Sequence, residues 1–184
     1  RFQGRRIWMS TPTWPNHPNI FKAAGLAVES YPYIDAAGQG LDFDKLTATM
    51  EKMSQGDIIL LHACCHNPTG VDLTAAQWSE VAALAAAHGW LPFVDFAYQG
   101  YGTGLEEDRE GVLALLKAVP ELIIASSFSK NFGLYQDRTG ALLRAHQGVL
   151  ENEERLRMAM EVAQVGGWEW HVGTARMTWL TAPE

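Results

Sequence analysis

Charge is scarce in this chain of 184 residues: Asp, Glu, Lys and Arg make up 19%, below the roughly 25% of ordinary soluble domains. A surface so poor in charge is expected to be covered in part by neighbouring protein. Cysteine is scarcer still, with only Cys64 and Cys65, side by side. Adjacent cysteines close no loop, so a disulfide framework is excluded and a reducing, cytoplasmic setting is the expectation. Positive charge is also short. Fourteen Lys and Arg against 21 Asp and Glu leave −7 with His neutral, which argues against a nucleic-acid partner bound through its phosphates. No run approaches the roughly 18 apolar residues of a membrane span, and the opening residues do not read as a secretory leader, so no membrane partner is expected. Internal repeats and low-complexity segments are missing as well.

What is present is an ordinary hydrophobic content of 47%, enough to build a core and too much for a disordered chain. The length suits one domain, or one plus a fragment. The chain opens at Arg1 rather than Met and stops at Glu184 in mid-pattern, which reads as a piece of a longer protein.

Periodicity predicts an alternation of strands and helices. Ile7–Ser10 is a short apolar run before a turn-rich stretch, and a brief helix is expected over Asn19–Ala24, ended by Gly25. Leu26–Tyr33 reads as a strand, and Asp42–Met53 as a helix with Asp42 at its N-cap. Asp57–Ala63 is a continuous apolar run, the pattern of a strand buried on both faces. Thr74–His88 is an Ala-rich helix with Thr74 as N-cap and Gly89 closing it. Strand Leu91–Phe96, helix Glu106–Ala118 and strands Leu122–Ser126 and Thr139–Leu143 follow. Such alternation implies an α/β fold: a mostly parallel sheet in a three-layer arrangement with helices on both faces.

Ligands of such sheets sit beyond the carboxyl ends of the strands. That rule singles out His66-Asn67-Pro68-Thr69-Gly70, then Asp95 with Tyr98 just past it, then Ser127-Phe128-Ser129-Lys130. Taken alone, Lys130 is either a solvated loop cation or an amine nucleophile activated by burial and a nearby cation such as Arg138. Asp95, inside Phe93-Val94-Asp95-Phe96-Ala97, demands a cationic partner, since a carboxylate in an apolar strand is costly. A structural ion pair and a counter-charge for a protonated ring nitrogen both satisfy it. Cys64, Cys65, His62 and His66 lack the spacing zinc sites use, so no metal is expected there. Gly100, Gly102 and Gly104 lack the strand-turn-helix order of a dinucleotide fingerprint.

At this point a family resemblance is carried by four stretches in register. Ser126-Ser127-Phe128-Ser129-Lys130-Asn131-Phe132-Gly133-Leu134-Tyr135, with Asp137-Arg138-Thr139-Gly140, resembles the lysine segment of class I aminotransferases of the aspartate/aromatic branch. Trp8-Met9-Ser10 through Trp14-Pro15-Asn16-His17, His62-Ala63-Cys64-Cys65-His66-Asn67-Pro68-Thr69-Gly70, and Asp95-Phe96-Ala97-Tyr98-Gln99-Gly100-Tyr101 match in the same order. The likeness spans residues 5–143 and implies the large domain of a pyridoxal-phosphate-dependent transferase.

The resemblance implies pyridoxal 5′-phosphate as cofactor, with Lys130 as the Schiff-base lysine that then moves the proton at the substrate Cα. Asp95 is implied to pair with the pyridine nitrogen, Asn67 and Tyr98 to hydrogen-bond the ring's phenolic oxygen, and Ser127 and Arg138 to hold the phosphate. Trp14 is implied to stack on the ring and, with Asn67, to contact substrate. His17 and His62 resemble the imidazoles that orient the aspartate. The expected reaction is transfer of an amino group between an amino acid, aspartate or aromatic, and a 2-oxo acid, by a cytoplasmic homodimer. Elimination or decarboxylation on the same cofactor, or a non-catalytic relic joined to a sensor, are the alternative expectations.

Residues 1–145 thus read as part of the large domain, and residues 146–184 as a different tail. Glu151–Val165 has a helical apolar face, and Gly166-Gly167 leads into the alternating Trp168-Glu169-Trp170-His171-Val172, with Ala175–Leu180 as hairpin partner. From about residue 150 this tail resembles the start of a PAS sensor domain. A divergent aminotransferase helix and hairpin would read the same way. Without the family's small-domain arginine, the segment alone is expected to transaminate weakly or not at all.

Overall fold

The computed structural model describes residue 2 and residues 4–136, 139–146, 167–171 and 176–181. In chain order it holds β1 (Arg6–Thr11), α1 (His17–Ala23), β2 (Ala27–Pro32), α2 (Phe43–Met50), β3 (Ile58–His62), α3 (Ala75–His88), β4 (Leu91–Phe96), α4 (Glu110–Ala118), β5 (Glu121–Ser127) and β6 (Gly140–His146). These strands form one six-stranded sheet in the order β2-β1-β3-β4-β5-β6. All neighbours are parallel except β5 and β6, which run antiparallel.

β3 shows why the sheet sits where it does. All five of its residues are buried, and their alternation divides them between two apolar clusters. Ile59 and Leu61 join Leu46 and Met50 of α2, Trp78 and Val81 of α3, and Val112 and Leu115 of α4. Ile58 and Leu60 join Ile7 and Met9 of β1 and Phe21 of α1. Three helices therefore pack on one face and α1 on the other. Each aliphatic side chain so enclosed contributes about 1.5–3 kcal/mol, which is why the uninterrupted Ile-Ile-Leu-Leu run has no exposed edge.

Local chemistry sets the element ends. Thr74 accepts a hydrogen bond from Gln77 N at 3.3 Å, and the Gln77 side chain accepts one from Thr74 N at 2.9 Å. This reciprocal box satisfies two amides that the first turn of α3 leaves orphaned. Gly89 ends that helix at φ +67°, a left-handed backbone that glycine adopts without Cβ strain. Asp42 caps α2 as expected, but the helix ends at Met50 rather than Met53. Lys52 and Met53 bond back only three residues, to Thr49 and Met50, a tightened turn that still buries Met53. The helix expected from Glu106 begins instead with a 3₁₀ turn, Glu107–Arg109, and becomes α-helical at Glu110.

At the amino end of β3, the buried Asp57 gathers four donors. Arg6 Nε at 3.1 Å and Trp8 Nε1 at 3.0 Å come from β1, and the Ser54 amide at 3.0 Å from the preceding turn. The terminal guanidinium nitrogen of Arg6 approaches at 2.8 Å. These contacts pin β1 to β3 where their ladder holds only two residue pairs.

Residues Arg1–Gln147 and Gly148–Glu184 form two compact units. In the second, β7 (Gly167–His171) and β8 (Arg176–Thr181) pair antiparallel, with an irregularity between Gly167 and Trp168. The helix expected over Glu151–Val165 lies outside the described residues. No helix among the described residues is long and apolar enough to cross a membrane.

Candidate active site

Parallel register brings the carboxyl ends of β3, β4 and β5 to one rim of the sheet. His62 pairs with Asp95, Asp95 with Ala125, and Phe96 with Ser126. Asn67, Tyr98 and Lys130 then lie on the turns that leave this rim, and Ser127 ends β5.

Asp95 is the charged centre of one group. Its Oδ2 lies 3.3 Å from Nε2 of the buried His17, and its Oδ1 accepts the Ala97 amide at 3.1 Å. Burial pushes the Asp95 carboxyl upward most strongly, yet the His17 hydrogen bond, the neighbouring imidazoles and the Ala97 N–H outweigh it, and the net shift is downward. The carboxylate stays ionised. His17 Nδ1 sits 2.9 Å from Thr13 Oγ1. An imidazole protonated on Nε2 satisfies both neighbours, donating to Asp95 and accepting from the Thr13 hydroxyl. Trp14 meets His17 edge-on at 5.1 Å between ring centroids and keeps 37% of its surface exposed.

His62 lies behind this pair. It is buried beside His17 at 5.3 Å and His66 at 4.3 Å between centroids. Neither ring nitrogen has a hydrogen-bond partner among the described residues. Burial lowers its pKa to about 4, so it packs behind the Asp95–His17 pair as a neutral ring.

Asn67 is half-buried in the turn after β3. That turn is tied down by Asp72, whose carboxylate accepts the Cys65 and His66 amides at 2.7 and 2.8 Å. The His66 ring is held at Nε2 by Ser10 Oγ (2.9 Å) and at Nδ1 by Thr69 Oγ1 (2.8 Å), and it stacks on Tyr33 at 3.8 Å. With both nitrogens engaged, His66 has none left for an ion. Among the described residues the three groups that could share a metal are instead His17, His62 and Asp95.

Lys130 and Tyr98 form the second group. Lys130 Nζ stands 4.1 Å from the centroid of the Tyr98 ring, a cation–π contact. Tyr101 OH donates to the Lys130 carbonyl at 2.7 Å. Ser127 Oγ accepts the Ser129 amide at 3.1 Å and approaches the Thr139 carbonyl at 3.4 Å. Arg138 lies outside the described residues.

The structure therefore joins Trp14, His17, His62 and Asp95 in one cluster and Tyr98 with Lys130 in another, three residues along the chain from Asp95 to Tyr98. Sequence reasoning missed Tyr101, Asp72 and Asp108. Asp108 had a legible signal, an acidic residue shortly after the spaced glycines 100, 102 and 104, whose unshielded amides suit an anion. A separate cavity of about 300 Å³ lies along β1 and β2, lined by Ser10, Thr11, Thr13 and Glu29 among others. It includes none of Trp14, His17, His62, Asn67, Asp95, Tyr98, Ser127 and Lys130.

The donor set fits pyridoxal phosphate: an ionised carboxylate fixed by an imidazole, an exposed indole against that imidazole, and an amine on a turn of the same rim. Comparison with known proteins agrees. A family model described as "Aminotransferase class I and II" matches residues 1–166, past Leu143 and through Glu151–Val165. The aspartate aminotransferase of Salmonella typhi is 54% identical over 137 residues, covering 74% of this chain and 35% of that protein. The aromatic-amino-acid aminotransferase of Pseudomonas aeruginosa is 50% identical over 153 residues, covering 83% of this chain and 37% of that protein. Among solved structures, the aromatic-amino-acid aminotransferase of Burkholderia pseudomallei, covalently bound to pyridoxal phosphate, superposes with a TM-score of 0.81 at 40% identity, covering 88% of this chain and 40% of that one. The chain spans about a third of the length of the curated relatives it matches.

Proposed function

The chain belongs to the class I and II aminotransferase family, and from that premise we propose that the protein transfers an amino group between an amino acid, aspartate or aromatic, and a 2-oxo acid. The observation that carries this reading is Asp95, held ionised by His17 on the rim that also presents the Lys130 amine. Relatives acting on aspartate and on aromatic amino acids match this chain at similar identity, so both substrate classes are included.

Pyridoxal phosphate, when bound, supplies an aldehyde that an amine can join and a protonated ring that accepts the electron pair left at the substrate Cα. The chain's residues do the rest. Asp95 keeps the proton on the ring nitrogen, because a carboxylate held ionised in a largely buried site favours a cation beside it. His17 fixes the direction in which that carboxylate faces. Lys130 Nζ would take the proton from the substrate Cα and deliver it to the carbon that was the cofactor's aldehyde. Asn67 and Tyr98 would hydrogen-bond the phenolic oxygen, Ser127 and Arg138 would hold the phosphate, the latter as a charge-assisted donor, and Trp14 would cover the ring. His62 excludes water behind Asp95. We place the protein in the cytoplasm as a homodimer; its two cysteines are unbridged, in keeping with a reducing compartment.

The test is borohydride reduction of the protein after loading with pyridoxal phosphate, followed by peptide mass spectrometry and product analysis. The cofactor mass should sit on Lys130 and vanish in Lys130→Ala, and each 2-oxo acid formed should be matched by one new amino acid. A cofactor adduct on another lysine overturns the site. Ammonia or carbon dioxide in place of the new amino acid overturns the reaction.

A further inference from the structure

Asp108 is 6% exposed and makes no ion pair with a described residue, yet its carboxylate is among the most heavily hydrogen-bonded groups in the described residues. Oδ2 accepts the amides of Gly100 at 2.8 Å and Gly102 at 3.0 Å. Oδ1 accepts the amide of Thr103 at 2.8 Å, with the Gly104 amide and the Thr103 hydroxyl each at 3.4 Å. Burial opposes the charge, but the backbone donors outweigh it and hold the carboxyl below its usual range.

The loop gathered in this way is the one that leaves β4 with Tyr98 and Tyr101. Both tyrosines contact Lys130, one through its ring against Nζ and the other through its hydroxyl to the backbone carbonyl. The glycine at 102 is required by the same device, since a Cβ there would stand 2.4 Å from Asp108 Oδ1. We propose that Asp108 is a positioning residue: it clamps residues 100–104 so that Tyr98 and Tyr101 hold the Lys130 amine in place for the cofactor. The significance of Lys130 rests on the amino-transfer reading; the clamp itself does not.

An amide cannot replace this carboxylate. Each oxygen of Asp108 accepts two backbone N–H groups, so a carboxamide at this position would, in either orientation, turn an NH₂ toward donors. Asp108→Asn therefore breaks the clamp by removing acceptors, and Gly102→Ala breaks it sterically while leaving the charge in place.

The experiment compares wild type with both variants without cofactor, by amide hydrogen exchange and by mass-resolved acylation of Lys130 against the exposed Lys52. Pyridoxal phosphate titration follows. In wild type, amides 100, 102, 103 and 104 should exchange far more slowly than free peptide. In each variant they should speed up at least about tenfold, the Lys130/Lys52 labelling ratio should change more than about threefold, and the cofactor Kd should rise about tenfold, equivalent to about 1.4 kcal/mol. Free-peptide exchange of these amides in wild type overturns the clamp and needs no variant. Faster exchange with labelling and Kd both within twofold of wild type overturns the positioning role. If wild type takes up no cofactor at Lys130, the amino-transfer reading fails, while exchange and labelling still decide the clamp.

Discussion

Replacing Gly111 with Ala pits two effects of known size against each other. Gly111 is the second residue of α4, where Ala is favoured over Gly by at most the roughly 1 kcal/mol of a helix interior. Propensity alone predicts a stabler protein. In the structure, however, a Cβ on residue 111 would lie 2.3, 2.4 and 2.8 Å from three ring carbons of Trp78, where carbon pairs rest at about 3.5–4.0 Å. The indole belongs to α3, is 4% exposed and is packed in the same cluster as Val81, Val112 and Leu115. A rigid double ring in that position yields only if the α3–α4 spacing opens by more than an ångström. Overpacking of this kind costs about 1–3 kcal/mol, and three simultaneous contacts put Gly111→Ala at the upper end. After the propensity gain, the net loss is about 2 kcal/mol. For a chain of this size that lowers Tm by about 4–8 °C. Thermal and urea unfolding of wild type, Gly111→Ala, Trp78→Leu and the double variant complete a cycle. With the ring removed, the same substitution should become neutral or stabilising. A higher Tm for Gly111→Ala with Trp78 intact would refute the argument.

Other outcomes follow from groups already described. His62 and His66 are held neutral by burial, with pKa values lowered to about 4 and about 3, whereas in the unfolded chain they protonate near 6.5. Between those values the unfolded state carries more protons, so stability is full above about pH 6.5 and falls as the solution is acidified toward pH 4. Urea midpoints at pH 7, 6 and 5 should decline in step, and less steeply in His62→Gln; midpoints that do not move contradict the buried-neutral assignment. Thr74→Ala removes the box at the start of α3 and should cost about 1 kcal/mol, read as a lower urea midpoint at unchanged slope, with Thr74→Ser restoring most of it.

The elements legible in the sequence were those whose information is local. Asp57–Ala63 announces a doubly buried strand by composition, and Thr74 with Gly89 brackets α3 by cap chemistry at both ends. β1 was visible only as the run Ile7–Ser10, because its outer residues Arg6 and Thr11 are polar and its pairing with β2 is a long-range matter. The start of α4 was misplaced because Asp108, which looks like an ordinary first-turn acid, spends its carboxylate on the preceding loop. The site divides in the same way. Asp95 stood out as a charge in an apolar strand, and the family likeness singled out Lys130, Asn67, Tyr98 and Trp14. No spacing rule announces that Tyr101 reaches Lys130 across 29 positions, or that His62 finds no partner for either nitrogen among the described residues.

Asp57, with its contacts to Arg6, Trp8 and Ser54, sits at the end of β3 opposite the rim that carries Asn67, Asp95 and Lys130. Architectural security and chemical choice are thereby lodged at opposite poles of the same strands. Substitutions at the rim leave the contacts of Asp57 to Arg6, Trp8 and Ser54 in place, and loss of those contacts removes none of Asn67, Asp95 and Lys130 from the rim.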